Sequence, residues 1–344
     1  MLVTVLVVAL ALFLWAVRDA VLLAFAAVLL AVAVHGLADM LSPRGKIPRG
    51  VALSLAGCLL VGVVVGVVWL FGAQVADQIA SIIDSLPAAW ESVRRSLSAS
   101  PLGARLVSEL QSMMSGASGA SFQDMMSRAG SYTLPLASGV TTALLVIFTA
   151  AFLTTEAGAY RRGLVLLVPK GPDEKIGQAL DDSAQALKKW LLGIMIDMTI
   201  IALLLGVALW ALGVPAFVGL ALIAGFAQFV PTVGPLLASV PAILLAFTVS
   251  PMTALWTAIA YLVISQLEAN VIYPLIQKKT TSIPPALNLV AVLAFGTLLG
   301  PLGVLLATPM LVVLTVFIVR LYVQDALGKD ARAPGVDRPL SKPV

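Results

Sequence analysis

The sequence is short of the residues on which most enzyme chemistry is built. Its 344 residues include one cysteine, Cys58, and one histidine, His35. No disulfide can close within the chain, and no zinc site can be assembled from cysteine and histidine. A nucleophile–histidine pair would have to use His35, which ends an apolar run far from any nucleophile-like motif. There is no phosphate-cradling glycine loop and no dinucleotide fingerprint. No catalytic residue, metal ligand set or cofactor is therefore expected. Charge is scarce as well: Asp, Glu, Lys and Arg make up 11% of the chain, against roughly 25% in a soluble domain. A globule of this composition could not cover its core with polar surface. That excludes an ordinary soluble enzyme, a disordered chain and a nucleic-acid-binding domain.

What is present is apolar. Sixty percent of the residues are hydrophobic, and the mean hydropathy is +1.05. The surplus must face lipid, so the bilayer is the first partner the sequence implies. A spanning helix needs about 20 mostly apolar residues. Met1 to Val17 reads as a helix rather than a cleaved signal peptide, because it lacks a basic n-region and a small-residue cleavage site. Arg18-Asp19 is read as a tight turn, with Ala20 to Ala38 as a second span and Val51 to Gly72 as a third. Residues 1–72 thus form an N-terminal group of three helices. Residues 73–135 are rich in Ser, Ala and Met, and read as a small helical insert outside the bilayer. Leu136 to Thr155 is a fourth span. Within the polar stretch 157–190, DEKIGQALDDSAQALKKW reads as an amphipathic helix whose charges form a solvated face. Together these make a third region, 136–190. A C-terminal core over 191–323 and a tail over 324–344 complete the division.

Sorting the basic residues gives an orientation. Sixteen of the 21 fall in loop 41–50, stretch 157–190, Lys278-Lys279 and the C-terminal tail. The positive-inside rule places these segments, and both termini, in the cytoplasm.

The second half carries an internal repeat. Pro215-Ala216 is followed after fourteen residues by PTVGPLLASVP, from Pro231 to Pro241. Pro285-Ala286 is followed after fourteen residues by PLGVLLATP, from Pro301 to Pro309. A helix over 216–230 would reach only about 22 Å, short of a roughly 30 Å hydrocarbon core. Pro231, Gly234 and Pro235, and in the second copy Gly300, Pro301, Gly303 and Pro309, would interrupt the hydrogen-bond ladder. Such breaks are tolerated at membrane depth only when buried in protein or lining a wet cavity. The expected fold is all-α, a polytopic membrane protein of about eight transmembrane helices with Pro/Gly-broken hairpins in its C-terminal half. Hairpins over 215–249 and 284–320 would have inverted topology, a plan that recurs in secondary transporters.

Few ionisable residues lie deep in apolar sequence. Asp197 sits in GIMIDMTII. Glu268 sits in ISQLEANVIYP, beside Gln266 and Asn270. An acid at mid-bilayer costs about 2.5–3.5 kcal/mol on insertion scales, so it normally faces an interior or a pathway. Gln228 and Asn288 can hydrogen-bond between helices. Glu268, Gln266, Asn270, Asp197 and Gln228 are the candidate pathway residues.

The pieces QLEANVIYPLI, Pro284-Pro285, FGTLLGPLGVLLATP, the Pro231–Gly234 P-x-x-G and the run from Gly213 to Ala242 resemble the AI-2E (autoinducer-2 exporter-like) transporter family, also called UPF0118. The resemblance implies a secondary transporter of the bacterial inner membrane and a homo-oligomer, with a pentamer as one assembly. It implies two substrate classes: export of a small polar solute such as the quorum signal AI-2, or Na+(Li+)/H+ antiport. Gln266, Asn270, Gln228 and broken-helix carbonyls would serve the first, and Glu268 the second. A non-transporting membrane scaffold that binds a partner through 73–135 is the reading from another class.

Overall fold

The structure is a computed structural model. It describes residues 15–42, 48–62, 91, 94–95, 136–169, 171–231, 233–277, 280, 283–330 and 333–336. The insert over 73–135, Thr232, Lys278-Lys279 and most of the tail beyond Asp330 lie outside the described residues, apart from a few isolated positions.

Every described element is helical. In chain order they are α1 (Arg18–Leu41), α2 (Arg49–Gly62), α3 (Leu136–Thr155), α4 (Ala157–Leu166), α5 (Asp173–Ala211), α6 (Phe217–Ala227), α7 (Val233–Val249) and α8 (Pro251–Leu267). A π-helix, π1 (Glu268–Ile272), leads into α9 (Tyr273–Gln277). Then come α10 (Pro285–Phe317) and a second π-helix, π2 (Ile318–Ala326). Among the described residues, four stretches are long and apolar enough to cross a membrane, or five if the bent pair α3–α4 is one span. The protein is a polytopic helical membrane protein.

Two boundaries differ from the sequence reading. The turn near the N-terminus falls at Val17, and Arg18-Asp19 already belong to α1. The amphipathic segment and the span after it are one helix: α5 runs unbroken for 39 residues, about 58 Å at 1.5 Å per residue. Its charges are not all solvated either, since Asp182 is 1% exposed. No glycine or proline interrupts the join at Lys189-Trp190-Leu191, so nothing stops the hydrogen-bond ladder where composition changes.

The chain divides into two compact units. One takes the described residues within Met1–Val63, Thr141–Gly193 and Leu275–Val344. Here α10 packs on α1, and Val34 and Ala38 of α1 close a small cluster with Ala52 and Ala56 of α2.

Within α10, Gly300 has φ 70° and ψ −156°, which breaks the helix into two arms. The consequence is a reversal. A Cβ at Gly296 would meet Val304, and one at Gly303 would strike the Phe295 carbonyl and Leu299. Residues eight apart would be some 12 Å apart in a straight helix, so 285–299 and 301–317 fold back on each other as a hairpin. The second arm runs straight through Pro309, which therefore does not mark a break. The Gly300 conformation is essentially open to glycine alone. Gly300→Ala is expected to cost about 1–3 kcal/mol, to be read as a lower thermal unfolding midpoint of the detergent-purified protein.

The other unit includes Ile194–Pro274. It contains the first hairpin: α6 ends at Ala227, α7 starts at Val233, and α7 packs on both α6 and α8. The break is shorter than the sequence suggested. Pro231 lies in the turn, but Gly234 and Pro235 lie in the first turn of α7, where proline is tolerated. The helix also continues through Pro241. The core joins Ile201, Leu205 and Leu209 of α5 to Leu220 and Ala224 of α6 and Ala242 and Leu245 of α7.

Candidate functional site

The polar centre of the second unit is set by a seam of small residues between α5 and α6. At Gly206 an added Cβ would lie 3.3 Å from Ala221 Cβ. One turn on, a Cβ at Gly225 would lie 2.8 Å from Ala202 Cβ and 3.0 Å from the Met198 carbonyl oxygen. Small residues let helix backbones approach this closely without lipid-driven burial. The pairs Gly206·Ala221 and Ala202·Gly225 run antiparallel. The next step along the seam brings Asp197 opposite Gln228.

There the Gln228 Nε2 donates to Asp197 Oδ2 at 2.9 Å. Gln228 is fully buried and Asp197 is 2% exposed. Asp197 Oδ1 and Gln228 Oε1 are buried without a hydrogen-bond partner among the described residues. The half-buried Glu268, at the start of π1, lies near enough to feel both groups electrostatically. Two acids 71 positions apart in sequence thus come into the neighbourhood of one buried amide. π-helical turns are frequent at functional sites, because the i→i+5 bond re-aims side chains that an α-helix would point elsewhere.

The remaining candidates fall elsewhere. Asn270 Nδ2 donates to the Gln266 backbone oxygen at 2.8 Å and to its Oε1 at 3.2 Å. Both residues are exposed and form a local pair on α8–π1. Asn288 is buried in the first arm of α10, with its Oδ1 unpartnered among the described residues. One contributor escaped sequence reasoning. Gly225 sets the approach that lets Gln228 reach Asp197, and its signal was the Gly–x–x–Gln spacing on one helix face. Thr257 is wholly buried on α8, with its Oγ1 unpartnered among the described residues. His35 Nδ1 lies 3.0 Å from the Ala31 carbonyl oxygen of its own helix. Among the described residues no cluster of three or more His, Cys, Asp or Glu could hold a metal ion.

A profile described as the AI-2E family transporter matches residues 3–322. The chain belongs to the AI-2E transporter family. YrrI of Bacillus subtilis is 27% identical over 177 residues, which is 52% of this chain and 50% of YrrI. A Thermotoga maritima protein is 26% identical over 181 residues, 52% of this chain and 56% of its own length. MT0215 of Mycobacterium tuberculosis is 27% identical over 280 residues, 79% of this chain and 74% of its own length. All three carry names that assign them provisionally to transport. The chain spans about half the length of the first two of these relatives. The AI-2E family is one of transporters and not of enzymes. This AI-2E chain is accordingly a multi-pass membrane protein with bacterial relatives.

Proposed function

We propose that this AI-2E chain is a secondary transporter of the bacterial inner membrane that exports a small polar solute. The Asp197–Gln228–Glu268 cluster is its polar centre, and both termini are cytoplasmic. The observation that carries the reading is the buried Gln228–Asp197 hydrogen bond, with Glu268 in its electrostatic reach. A buried amide bonded to an acid in lipid-facing helices is costly, and such groups normally line a pathway. A small polyhydroxylated solute of the AI-2 kind needs several donors and acceptors, which an amide flanked by carboxyls offers.

The two acids also favour a second reading, Na+(Li+)/H+ antiport. Carboxyls that share one site in an apolar setting do not both stay ionised without a proton or cation between them. The clustering of basic residues supports the orientation, and the resemblance supports a homo-oligomer.

The test uses the full chain in proteoliposomes, with solute efflux and proton movement read separately. Asp197→Asn keeps the shape and can still bond Gln228. A hydrogen bond to a charged group is worth about 1.5–3 kcal/mol. The transported activity that depends on the cluster should therefore fall at least about tenfold. Loss of solute efflux supports the exporter. Loss of sodium- or lithium-driven proton movement alone supports the antiporter. Unchanged rates of both would remove Asp197 from the pathway.

A further inference from the structure

Four ion pairs converge on the polar N-terminal half of α5, all within the first unit. Arg161 of α4 makes a two-pronged contact with Asp181, at 2.6 and 2.8 Å. Lys188 pairs with Asp39 of α1 at 2.6 Å. Lys175 pairs with Asp325, and Asp182 with Arg320, both on π2. The first three pairs are largely exposed, and pairs of that kind contribute little to stability.

The fourth pair is different. The Asp182 side chain is 1% exposed and that of Arg320 is 14% exposed. Arg320 also donates to Gln324 Oε1 at 3.1 Å, while its Nε is buried with no hydrogen-bond partner among the described residues. A buried ion pair with imperfect hydrogen bonding is a poor source of stability. Its best-attested use is to fix a register.

The helix geometry explains which register. Lys175 and Asp182 are seven apart on an α-helix, within about 20° of the same face. Their partners, Arg320 and Asp325, are five apart. In an α-helix five residues turn about 140° past a full circle, which would leave one partner facing away from α5. In the wider turn of a π-helix five residues pass a full circle by only about 50°, so both partners can meet a single stripe of α5.

We infer that the buried Asp182–Arg320 pair holds Ile318–Ala326 in the π register, and that the facing of position 325 towards position 175 reports it. Releasing the Asp182–Arg320 pair converts this segment to an α-helix, turns Asp325 off α5 and brings Gln324 into its place. The end of the α10 hairpin thereby gains a two-state element, which is a physical requirement of any switching transition.

The test uses the full-length chain in membranes with Cys58→Ala. Lys175→Cys is combined with either Asp325→Cys or Gln324→Cys, and a short bis-thiosulfonate linker reports which residue faces position 175. In the parent the 325 pair should cross-link faster. With Arg320→Gln or Asp182→Asn added, the 325 rate should fall and the 324 rate should rise, shifting the ratio roughly tenfold. The exchange Asp182→Arg with Arg320→Asp should restore the parental ratio. A Lys188→Cys/Asp39→Cys pair, which joins α5 to α1, should cross-link unchanged throughout. An unaltered 325-to-324 ratio in both single variants would overturn the inference. Loss of the 188–39 cross-link in those variants would also overturn it, since the buried pair would then be a general support of the unit.

Discussion

Glu268→Gln is expected to stop cation-driven proton movement, with a fall of roughly a hundredfold, the scale on which loss of a single proton-handling group acts. Glu268 opens π1, is half-buried, and lies within electrostatic reach of Gln228 and Asp197. Glutamine preserves the volume, so the local packing should survive. What it removes is the capacity to carry a proton or balance a cation. Everted vesicles with a pH-sensitive dye read the exchange directly. Glu268→Asp, which keeps the charge on a shorter stem, should retain part of the activity. Exchange at the wild-type rate in the glutamine variant would remove Glu268 from coupling. If solute efflux persisted in that variant, exporter and antiporter activities would be separable at this residue.

Gly234→Ala should be among the most damaging single-methyl changes in the chain. The Gly234 amide donates to the Val230 carbonyl at 2.9 Å across the turn, and a Cβ at this position would run into the Ala227 carbonyl. The obstacle is backbone, so no rotamer change relieves it, and either α6 or α7 must move. Overpacking commonly costs about 1–3 kcal/mol, and a clash with rigid backbone belongs at or above the top of that range. The expected readouts are a lower membrane yield and a depressed unfolding midpoint in detergent. Gly57→Ala in α2 is the control: nothing lies within 4 Å of the added methyl, and alanine is favoured over glycine within a helix by about 0.5–1 kcal/mol. Equal behaviour of the two variants would mean that the α6–α7 hairpin is looser than its geometry indicates.

Much of the fold was legible because lipid imposes a simple rule on composition. Leu136–Thr155 emerges with the boundaries the apolar run suggests, and the two reversals fall where Pro231 and Gly300 punctuate the repeat. The extent of each break was harder to read. Proline in a first helical turn costs nothing, so Pro235 looks like a breaker in sequence and serves as a starter in space. The charged half of α5 looked like a separate helix because polarity changes at Trp190, yet hydrogen bonding does not follow polarity.

At the candidate site, Asp197, Gln228 and Glu268 could each be singled out as polar residues in apolar surroundings. Their meeting could not, since it depends on the Gly206–Ala221 and Ala202–Gly225 seam and on the π-turn at Glu268. A π-helix has no residue signature: its i→i+5 bond arises from packing, which sequence periodicity does not encode.

The two units also differ in how far along the chain their contacts reach. The second unit's reversal joins residues seven apart, Ala227 and Gly234, and its buried polar centre lies within a single stretch, Ile194–Pro274. The first unit brings Lys188 to Asp39 and Arg320 to Asp182, separations of 149 and 138 positions. Short-range contacts form early and long-range ones wait for loop closure. During synthesis, Asp197, Gln228 and Glu268 can therefore come together while the ribosome is still adding α10. Asp182 must stay without its counter-charge until the last helix has emerged.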